Sequence, residues 1–274
     1  GKVRALYGCD VTSFLHSDFA MGDCENLLPS YFPVGRRAND KYIRKTIEAF
    51  KMGVPFCFDY DDFNSQHSTS SMKAVLSAWL DAFQADLTNE QKTSMQWTID
   101  SLDQVRVSFN EVGKEVKVNG TLMSGWRLTS FVNSVLNRVY LEKAGLNDNV
   151  IYALHNGDDM FATTQNMQQA MNVVKNAEKV GIRAQISKTN IGTIGEFLRV
   201  DTRAKNPTGA QYLARSVATA VHGRVETGAP NDLIALHTAN TERMNAIVER
   251  GGNKYVVEIL RKELQSYECR LFDV

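Results

Sequence analysis

The sequence predicts an α+β fold in which an antiparallel sheet is backed by helices. Two short apolar runs, 151–154 and 160–162, flank the tetrapeptide Asn-Gly-Asp-Asp at 156–159. This pattern is typical of a tight hairpin with Asn-Gly at its bend. A third apolar run, 54–58, predicts another buried strand, and apolar residues with helical spacing follow at 71–84. A hairpin combined with a further strand and with amphipathic helices indicates a layered fold with antiparallel strands.

The run 54–58 ends in a group of acids that begins with Asp59 and is followed by Asn64. A strand that delivers carboxylates at its end can form half of a metal site, since two metal ions about 4 Å apart need ligands from separate segments. Asp59 follows the strand directly and is our candidate ligand. The alternative is that these acids cap the next helix, 71–84.

Residues 85–119 predict a polar helix and then a hairpin. The strands are 105–109 and 115–118, and Gly113 lies in the turn between them.

Residues 120–126 form a Gly/Ser loop that runs into a helix with regularly spaced apolar residues. Gly125, at the mouth of this helix, allows a ligand to approach the backbone closely. Thr129 and Asn133 are four residues apart and therefore share one helix face. In the structural alternative, Ser124 is an N-cap and Asn133 lies on the surface.

The hairpin carries two adjacent carboxylates, Asp158 and Asp159. Adjacent acids at a turn repel each other, and a hard cation compensates well. Mg²⁺ takes oxygen ligands from one or two carboxylates together with substrate phosphates. The alternative is a solvated turn, because Asp suits turns through local hydrogen bonding.

The segment after the hairpin predicts a helix over 167–180 and a strand over 182–188. From Gln211 onward the apolar spacing becomes helical.

Composition is that of an ordinary globular protein. The chain has 274 residues, 43% hydrophobic and 23% charged, with a formal net charge of zero. No apolar run approaches the length of a membrane span, no signal peptide is visible, and the four cysteines lack metal-ligand spacing. The balanced charge hides a basic segment, 36–45, that either steers phosphates or forms a solvated helix face.

Three segments together resemble motifs A, B and C of the palm of viral RNA-dependent RNA polymerases. In order they read Asp59-x4-Asn64, Ser124-Gly125-x3-Thr129-x3-Asn133 and Gly157-Asp158-Asp159. Segments 58–68 and 124–133 are most similar to the polymerases of totivirus-like double-stranded RNA viruses. The fold expected from this resemblance is a polymerase palm with partial fingers and the start of a helical thumb.

The resemblance implies roles for the residues of these motifs. The catalytic residues that hold two Mg²⁺ or Mn²⁺ ions would be Asp59, Asp158 and Asp159. The residues that bind the nucleotide and sense its ribose 2′-hydroxyl would be Asn64, Ser124, Gly125, Thr129 and Asn133. Many viral RNA polymerases have Asp at the position of Asn64, but an Asn can both donate to and accept from a hydroxyl.

Further segments resemble motifs F, D and E. Lys2 and Arg4 alternate as on one face of a strand, and by the resemblance they bind the triphosphate. Lys188 corresponds to the catalytic general acid proposed for the pyrophosphate leaving group. The alternative for all three is an ordinary exposed basic residue. The residues that support the primer end would be Phe197, Leu198 and Arg199.

The expected domain organisation follows from the motifs. Residues 1–50 are a fingers-derived segment with motif F. Residues 51–200 are the palm with motifs A to E, of which 85–119 are a fingers insertion. Residues 201–274 begin a helical thumb. Because motif F stands at the very start, we expect a polymerase core without its N-terminal fingers.

The expected function is RNA-directed RNA polymerase, with an RNA template, a product strand and NTPs as partners. The resemblance also implies the viral capsid protein as a partner, and a location inside the virion in the host cytoplasm. No membrane partner is expected. One alternative is a reverse transcriptase-like polymerase, which needs a bulky residue where this chain has Asn64. Another is a non-catalytic RNA-binding palm module, against which the intact acids argue.

Overall fold

The computed structural model describes residues 7–49, 53–109, 113–192, 195–198, 200–201, 213–222 and 232–272. The chain divides into two compact units, Gly1–Phe197 and Leu198–Val274. The boundary lies close to the expected end of the palm at residue 200. The division into fingers, palm and thumb itself stays a prediction.

The first unit is built on a four-stranded antiparallel sheet. Its strands, in spatial order, are β4 (Tyr152–Asn156), β5 (Asp159–Thr164), β1 (Val54–Phe58) and β6 (Asn190–Ile191). β1 pairs with β5 on one side and with β6 on the other, both antiparallel. The predicted hairpin and the predicted strand at 54–58 are therefore both confirmed.

Helices cover one face of this sheet. α6 (Thr129–Lys143), α7 (Leu146–Asn149) and α8 (Met167–Lys179) contribute to a buried core together with β1, β4 and β5. The largest side chains of β1 in this core are Phe56 and Phe58. Every residue of β5 after Asp159 is buried, which explains why its sequence is an apolar run without clear alternation.

A second core lies among helices of the same unit. It is formed by α1 (Val11–Met21), α2 (Cys24–Leu27), α4 (Thr69–Phe83), α5 (Asn89–Ser101) and one side of α6. Because α6 contributes to both cores, it is buried over most of its circumference. Polar residues on its inner faces must therefore find partners within the protein.

The remaining elements of the first unit are short. They are α3 (Asp40–Ala49), 3₁₀ helices at Gly35–Arg37 and Phe63–Gln66, the strands β2 (Arg106–Phe109) and β3 (Lys114–Lys117), and β7 (Glu196–Phe197). β2 and β3 form the predicted hairpin, with Gly113 beside its loop at φ 59°.

One alternative and one prediction about local structure are wrong. The acids after β1 do not cap the following helix, because α4 begins at Thr69 and Ser68 is its N-cap. Residues 182–188 do not form a strand, since only Ala184 bridges to Tyr60. The ladder is interrupted where the backbone N–H groups of Lys188 and Thr189 turn back to the carbonyl of Gln185, and pairing resumes at β6.

The second unit is mostly helical where the structure describes it. Its elements are β8 (Val200–Asp201), α9 (Leu213–His222), α10 (Leu233–Glu249) and α11 (Lys254–Phe272). Met244, Ile247 and Val257 form its described core. None of the helices in the described part of the chain is long and apolar enough to cross a membrane.

Candidate active site

The sheet brings two of the predicted catalytic acids together. Phe58 pairs with Met160 across the antiparallel strands β1 and β5. One step further along, Asp59 and Asp159 therefore come to the same end of adjacent strands. Asp59 is fixed by its backbone, whose N–H lies 3.3 Å from Thr189 Oγ1 and whose carbonyl accepts from Gln185 N at 2.8 Å. Strand register thus places these carboxylates, although they are 100 residues apart in sequence.

The turn of the hairpin differs by one residue from the prediction. Asn156 and Asp159 form the last strand pair, so the bend is Gly157-Asp158 and not Asn156-Gly157. Gly157 has φ 57°, as expected at the first central position of a type II′ turn. Asp158 therefore sits exposed at the tip, and Asp159 is the first residue of β5.

Two side chains of α6 hold this hairpin, and the sequence analysis did not identify either of them. The backbone N–H of Gly157 donates to Ser134 Oγ at 2.8 Å. Asn137 Nδ2 donates to the carbonyl oxygens of Gly157 and Asp159, at 3.0 and 3.2 Å. Asn137 Oδ1 accepts from the hydroxyl of Tyr60, at 3.2 Å. One buried amide therefore connects the segment after β1 to the hairpin that carries Asp158 and Asp159.

A buried histidine completes this arrangement. His155 Nδ1 lies 2.9 Å from Asn137 Oδ1, and burial lowers the pKa of His155 to about 3. Since Asn137 uses its nitrogen for the two carbonyls, His155 must donate from Nδ1. The available signal in the sequence was a pair of polar residues, Ser134 and Asn137, within an otherwise apolar helix face.

The carboxylates at this site repel one another. Asp159 is exposed as a residue, yet desolvation of its carboxyl is the largest cause that raises its pKa to about 6, and the nearby charges of Asp158, Asp59 and Glu196 raise it further. Lys188 opposes this rise, and its Nζ lies 3.8 Å from Asp59 Oδ1. Glu196, on β7, is a fourth acid that the sequence analysis did not place here.

A cation would relieve this repulsion. Among the described residues, no group of three or more His, Cys, Asp or Glu side chains has the geometry of a formed metal site. The donors nevertheless fit a hard divalent ion, because carboxylate oxygens are what Mg²⁺ binds. The raised pKa of Asp159 is the observation that favours a positive charge at this position.

Asn64 and Asn133, predicted to sense the ribose, are hydrogen-bonded to each other. Asn133 Nδ2 donates to Asn64 Oδ1 at 2.9 Å, and Asn64 Nδ2 donates to the carbonyl oxygen of Leu122 at 3.0 Å. Asn133 is only 7% exposed, so the alternative that placed it on the surface is wrong. Its Oδ1 lies 2.7 Å from Nε2 of His67, another residue absent from the predicted site.

This geometry explains why position 64 carries Asn. A backbone carbonyl oxygen can only accept, so the atom of residue 64 that faces Leu122 must be a donor. An ionised Asp would present oxygen to oxygen there.

The other predicted nucleotide-binding residues have structural partners. Ser124 Oγ accepts from the backbone N–H of Tyr7 at 3.3 Å and is not an N-cap, since α6 begins at Thr129. Thr129 Oγ1 donates to carbonyls within the loop before the helix, at 2.7 and 2.8 Å. A Cβ on Gly125 would come within 2.0 Å of the carbonyl oxygen of Tyr7. The close approach that Gly125 permits is thus to the chain's own N-terminal segment.

The remaining predicted residues are only partly described. Lys2, Arg4 and Arg199 lie outside the described residues. Phe197 is buried against Phe161, with ring centroids 6.3 Å apart, so its side chain belongs to the core. Leu198 has φ 47°, in the left-handed region that β-sheet residues do not use.

Known proteins have sequences similar to this one. The family described as viral RNA-directed RNA polymerase matches residues 1–225. The probable RNA-directed RNA polymerases of Saccharomyces cerevisiae viruses L-BC and L-A are 45% and 38% identical over the whole chain. The probable RNA-directed RNA polymerase of a Leishmania guyanensis isolate of Leishmania RNA virus 1 is 34% identical over 90% of the chain. The chain spans 18% of the length of each yeast-virus relative and 27% of the third.

Solved structures share the fold. The RNA-dependent RNA polymerase of a human picobirnavirus, in a form that lacks an insertion loop, superposes with a TM-score of 0.68. It is 14% identical and covers 94% of this chain and 55% of its own. The form with the loop gives a TM-score of 0.65 at 13% identity, over 98% of this chain and 52% of its own. This likeness confirms the α+β polymerase fold expected from the sequence.

Proposed function

This chain belongs to the viral RNA-directed RNA polymerase family, and we propose that it carries the catalytic palm for template-directed RNA synthesis. In this reaction the 3′-hydroxyl of a growing RNA attacks the α-phosphate of an NTP and releases pyrophosphate. The observation that carries the proposal is the placement of Asp59 beside Asp159 by the register of β1 and β5, with Asp158 at the adjoining turn.

We propose Asp59, Asp158 and Asp159 as the residues that hold two divalent ions, Mg²⁺ or Mn²⁺. When bound, such ions lower the pKa of the attacking hydroxyl and stabilise charge on the leaving oxygens. The chain itself supplies the rigidity that this chemistry needs. Asn137 fixes the hairpin by two donated hydrogen bonds, so the acids are held by a buried helix and not by a free loop.

Other residues would act on the nucleotide. Asn64 and Asn133 would sense the ribose 2′-hydroxyl, together with the loop that contains Ser124 and Gly125 and with Thr129. Lys188 is our candidate for donating a proton to pyrophosphate, and its ammonium near Asp59 also balances the acidic site.

The proposal extends to the segments around the site. Lys2 and Arg4 would neutralise the triphosphate. The segment Phe197, Leu198 and Arg199 would support the primer end. RNA template, product strand and NTPs would be the partners. The capsid protein as a further partner, and synthesis inside the particle in the host cytoplasm, complete the proposal.

The test is nucleotide incorporation on a single-stranded RNA template with Mg²⁺ or Mn²⁺. It should compare NTPs with dNTPs, in this chain and in a longer version with flanking viral sequence. Asp158→Asn is expected to lower the rate by at least about 10²-fold, since charge stabilisation by positioned groups is worth that much. The matched control is Asp148→Asn, which changes an exposed acid on α7.

Each outcome is informative. NTP incorporation that is lost in Asp158→Asn and kept in Asp148→Asn would support the polymerase and the acidic site together. A preference for dNTPs would instead support a reverse transcriptase-like enzyme. A folded protein that incorporates neither nucleotide in either version would favour an RNA-binding module.

A further inference from the structure

His67 lies behind the predicted ribose site and has no role in the function described so far. It is 1% exposed and follows the 3₁₀ helix that contains Asn64. Its Nε2 lies 2.7 Å from Asn133 Oδ1, and its Nδ1 lies 3.1 Å from the hydroxyl of Tyr140. Both ring nitrogens are therefore engaged with partners from α6.

The hydrogen bonds form a series from Leu122 through Asn64 and Asn133 to His67. The carbonyl of Leu122, at the start of the series, sets the direction of each one. The carbonyl oxygen of Leu122 can only accept, so Asn64 must turn its Nδ2 toward it. Asn64 Oδ1 then faces Asn133 and requires a donor, which is Asn133 Nδ2. Asn133 Oδ1 consequently faces His67 and requires a proton on Nε2.

The other side of the ring agrees with this assignment. Burial lowers the pKa of His67, so the ring is neutral and carries one proton. With that proton on Nε2, Nδ1 is an acceptor, and the hydroxyl of Tyr140 can donate to it.

We propose that His67 is a positioning residue for sugar selection, which holds the amides of Asn133 and Asn64 in this orientation from the side opposite Leu122 by donating from Nε2. This inference rests on the proposed function, because it deepens the role of the predicted ribose site. In this orientation, the hydrogen bonds to Leu122 and Asn133 use one N–H and one oxygen lone pair of Asn64. One N–H and one lone pair remain for a ribose hydroxyl, which both donates and accepts.

Loss of the Nε2 donor would remove this constraint. Asn133 Oδ1 would be left buried without a donor, and the two amides would be held in place from the Leu122 side alone. The geometry that distinguishes a ribose from a deoxyribose would be lost even if the fold survived.

A purely structural role is the competing explanation, because His67 also packs edge-on against Phe63, with ring centroids 4.4 Å apart. Two variants separate the roles. His67→Gln keeps a donor near the position of Nε2, whereas His67→Met fills the space without one. His222→Met, at an exposed position of α9, is the matched control for the chemical change.

The first measurement is kcat/KM for each NTP and its dNTP. We expect His67→Met to reduce the NTP/dNTP preference on the order of tenfold, the effect of one lost buried hydrogen bond. His67→Gln should retain most of the preference, and His222→Met should retain all of it. In the Asn133→Ala background, His67→Met should cause no further loss of preference, since both changes remove the same hydrogen bond between residues 67 and 133.

The result that would overturn the inference is a His67→Met enzyme with unchanged preference and an equal fall in kcat for both sugars. That pattern would show that His67 acts only through its packing in the core.

The second measurement does not depend on activity. Long-range ¹H–¹⁵N correlation spectra of the folded chain labelled at histidine, with His67→Gln for assignment, report which ring nitrogen carries the proton. We expect His67 to be neutral with its proton on Nε2, and a proton on Nδ1 would overturn the inference. Absence of nucleotide incorporation by the unaltered protein would instead count against the proposed function and leave this result interpretable.

Discussion

Asn137→Ala is expected to lower the free energy of unfolding substantially, because this fully buried amide joins several segments of the site. The change removes the donors to the carbonyls of Gly157 and Asp159, each worth about 1 kcal/mol net. It also leaves His155 Nδ1 buried without its acceptor, which costs roughly 1–3 kcal/mol. The hydroxyl of Tyr60 keeps the backbone oxygen of residue 137 as a partner, at 3.2 Å.

The expected total for Asn137→Ala is therefore about 3–5 kcal/mol, a large fraction of the roughly 5–15 kcal/mol that stabilises a typical domain. Urea denaturation followed by circular dichroism measures it as a lower midpoint. The control is Asn89→Ala at an exposed position at the start of α5, which should change stability by no more than about 0.5 kcal/mol. A loss below about 1 kcal/mol for Asn137→Ala would refute the assignment of this residue as the anchor of the hairpin.

Three further predictions concern the site and its surroundings. Asn64→Asp places a carboxylate where a donor now lies 3.0 Å from a backbone carbonyl, so we expect a loss of about 1–3 kcal/mol in urea denaturation and a weaker NTP/dNTP preference. Gly125→Ala forces a Cβ to within 2.0 Å of the carbonyl oxygen of Tyr7 and should destabilise the fold by about 1–3 kcal/mol, whereas Gly8→Ala, with nothing within 4 Å of the added Cβ, should not. The pKa of Asp159 is raised to about 6, so protons compete with cations for its carboxylate below that pH. Calorimetry should therefore show the affinity for Mn²⁺ falling as pH is lowered through this value. Asp159→Asn should remove this pH dependence.

Much of the sheet was predictable because its signals are local. The apolar runs of β1, β4 and β5 identify buried strands, and the Gly157 turn between β4 and β5 forces them to pair antiparallel. The prediction failed at 182–188, where the composition suits a strand but a turn at Gln185 interrupts the ladder. Turn formation there depends on which edge of the sheet is free, and a short segment does not encode this by itself.

The candidate site also has a part that the sequence predicts and a part that it does not. Its acids were predictable because Asp59 follows a strand and Asp158 and Asp159 occupy a hairpin. The residues that support these acids and amides were not predictable, because nothing in the sequence around Asn137 or His67 indicates their distant partners. The bond between Asn133 and Asn64 spans 69 positions, and that from Asn137 to Gly157 spans 20, so neither follows from local spacing.

The sequence by itself determined the class of fold, the strands β1, β4 and β5, and three of the acids at the site, because these depend on periodicity and on residue type. Tertiary structure alone decided which carboxylates become neighbours and how the amides of Asn64 and Asn133 are oriented. The physical reason is that register brings Asp59 beside Asp159, and that burial of α6 between two cores obliges its polar side chains to find partners on other segments of the protein.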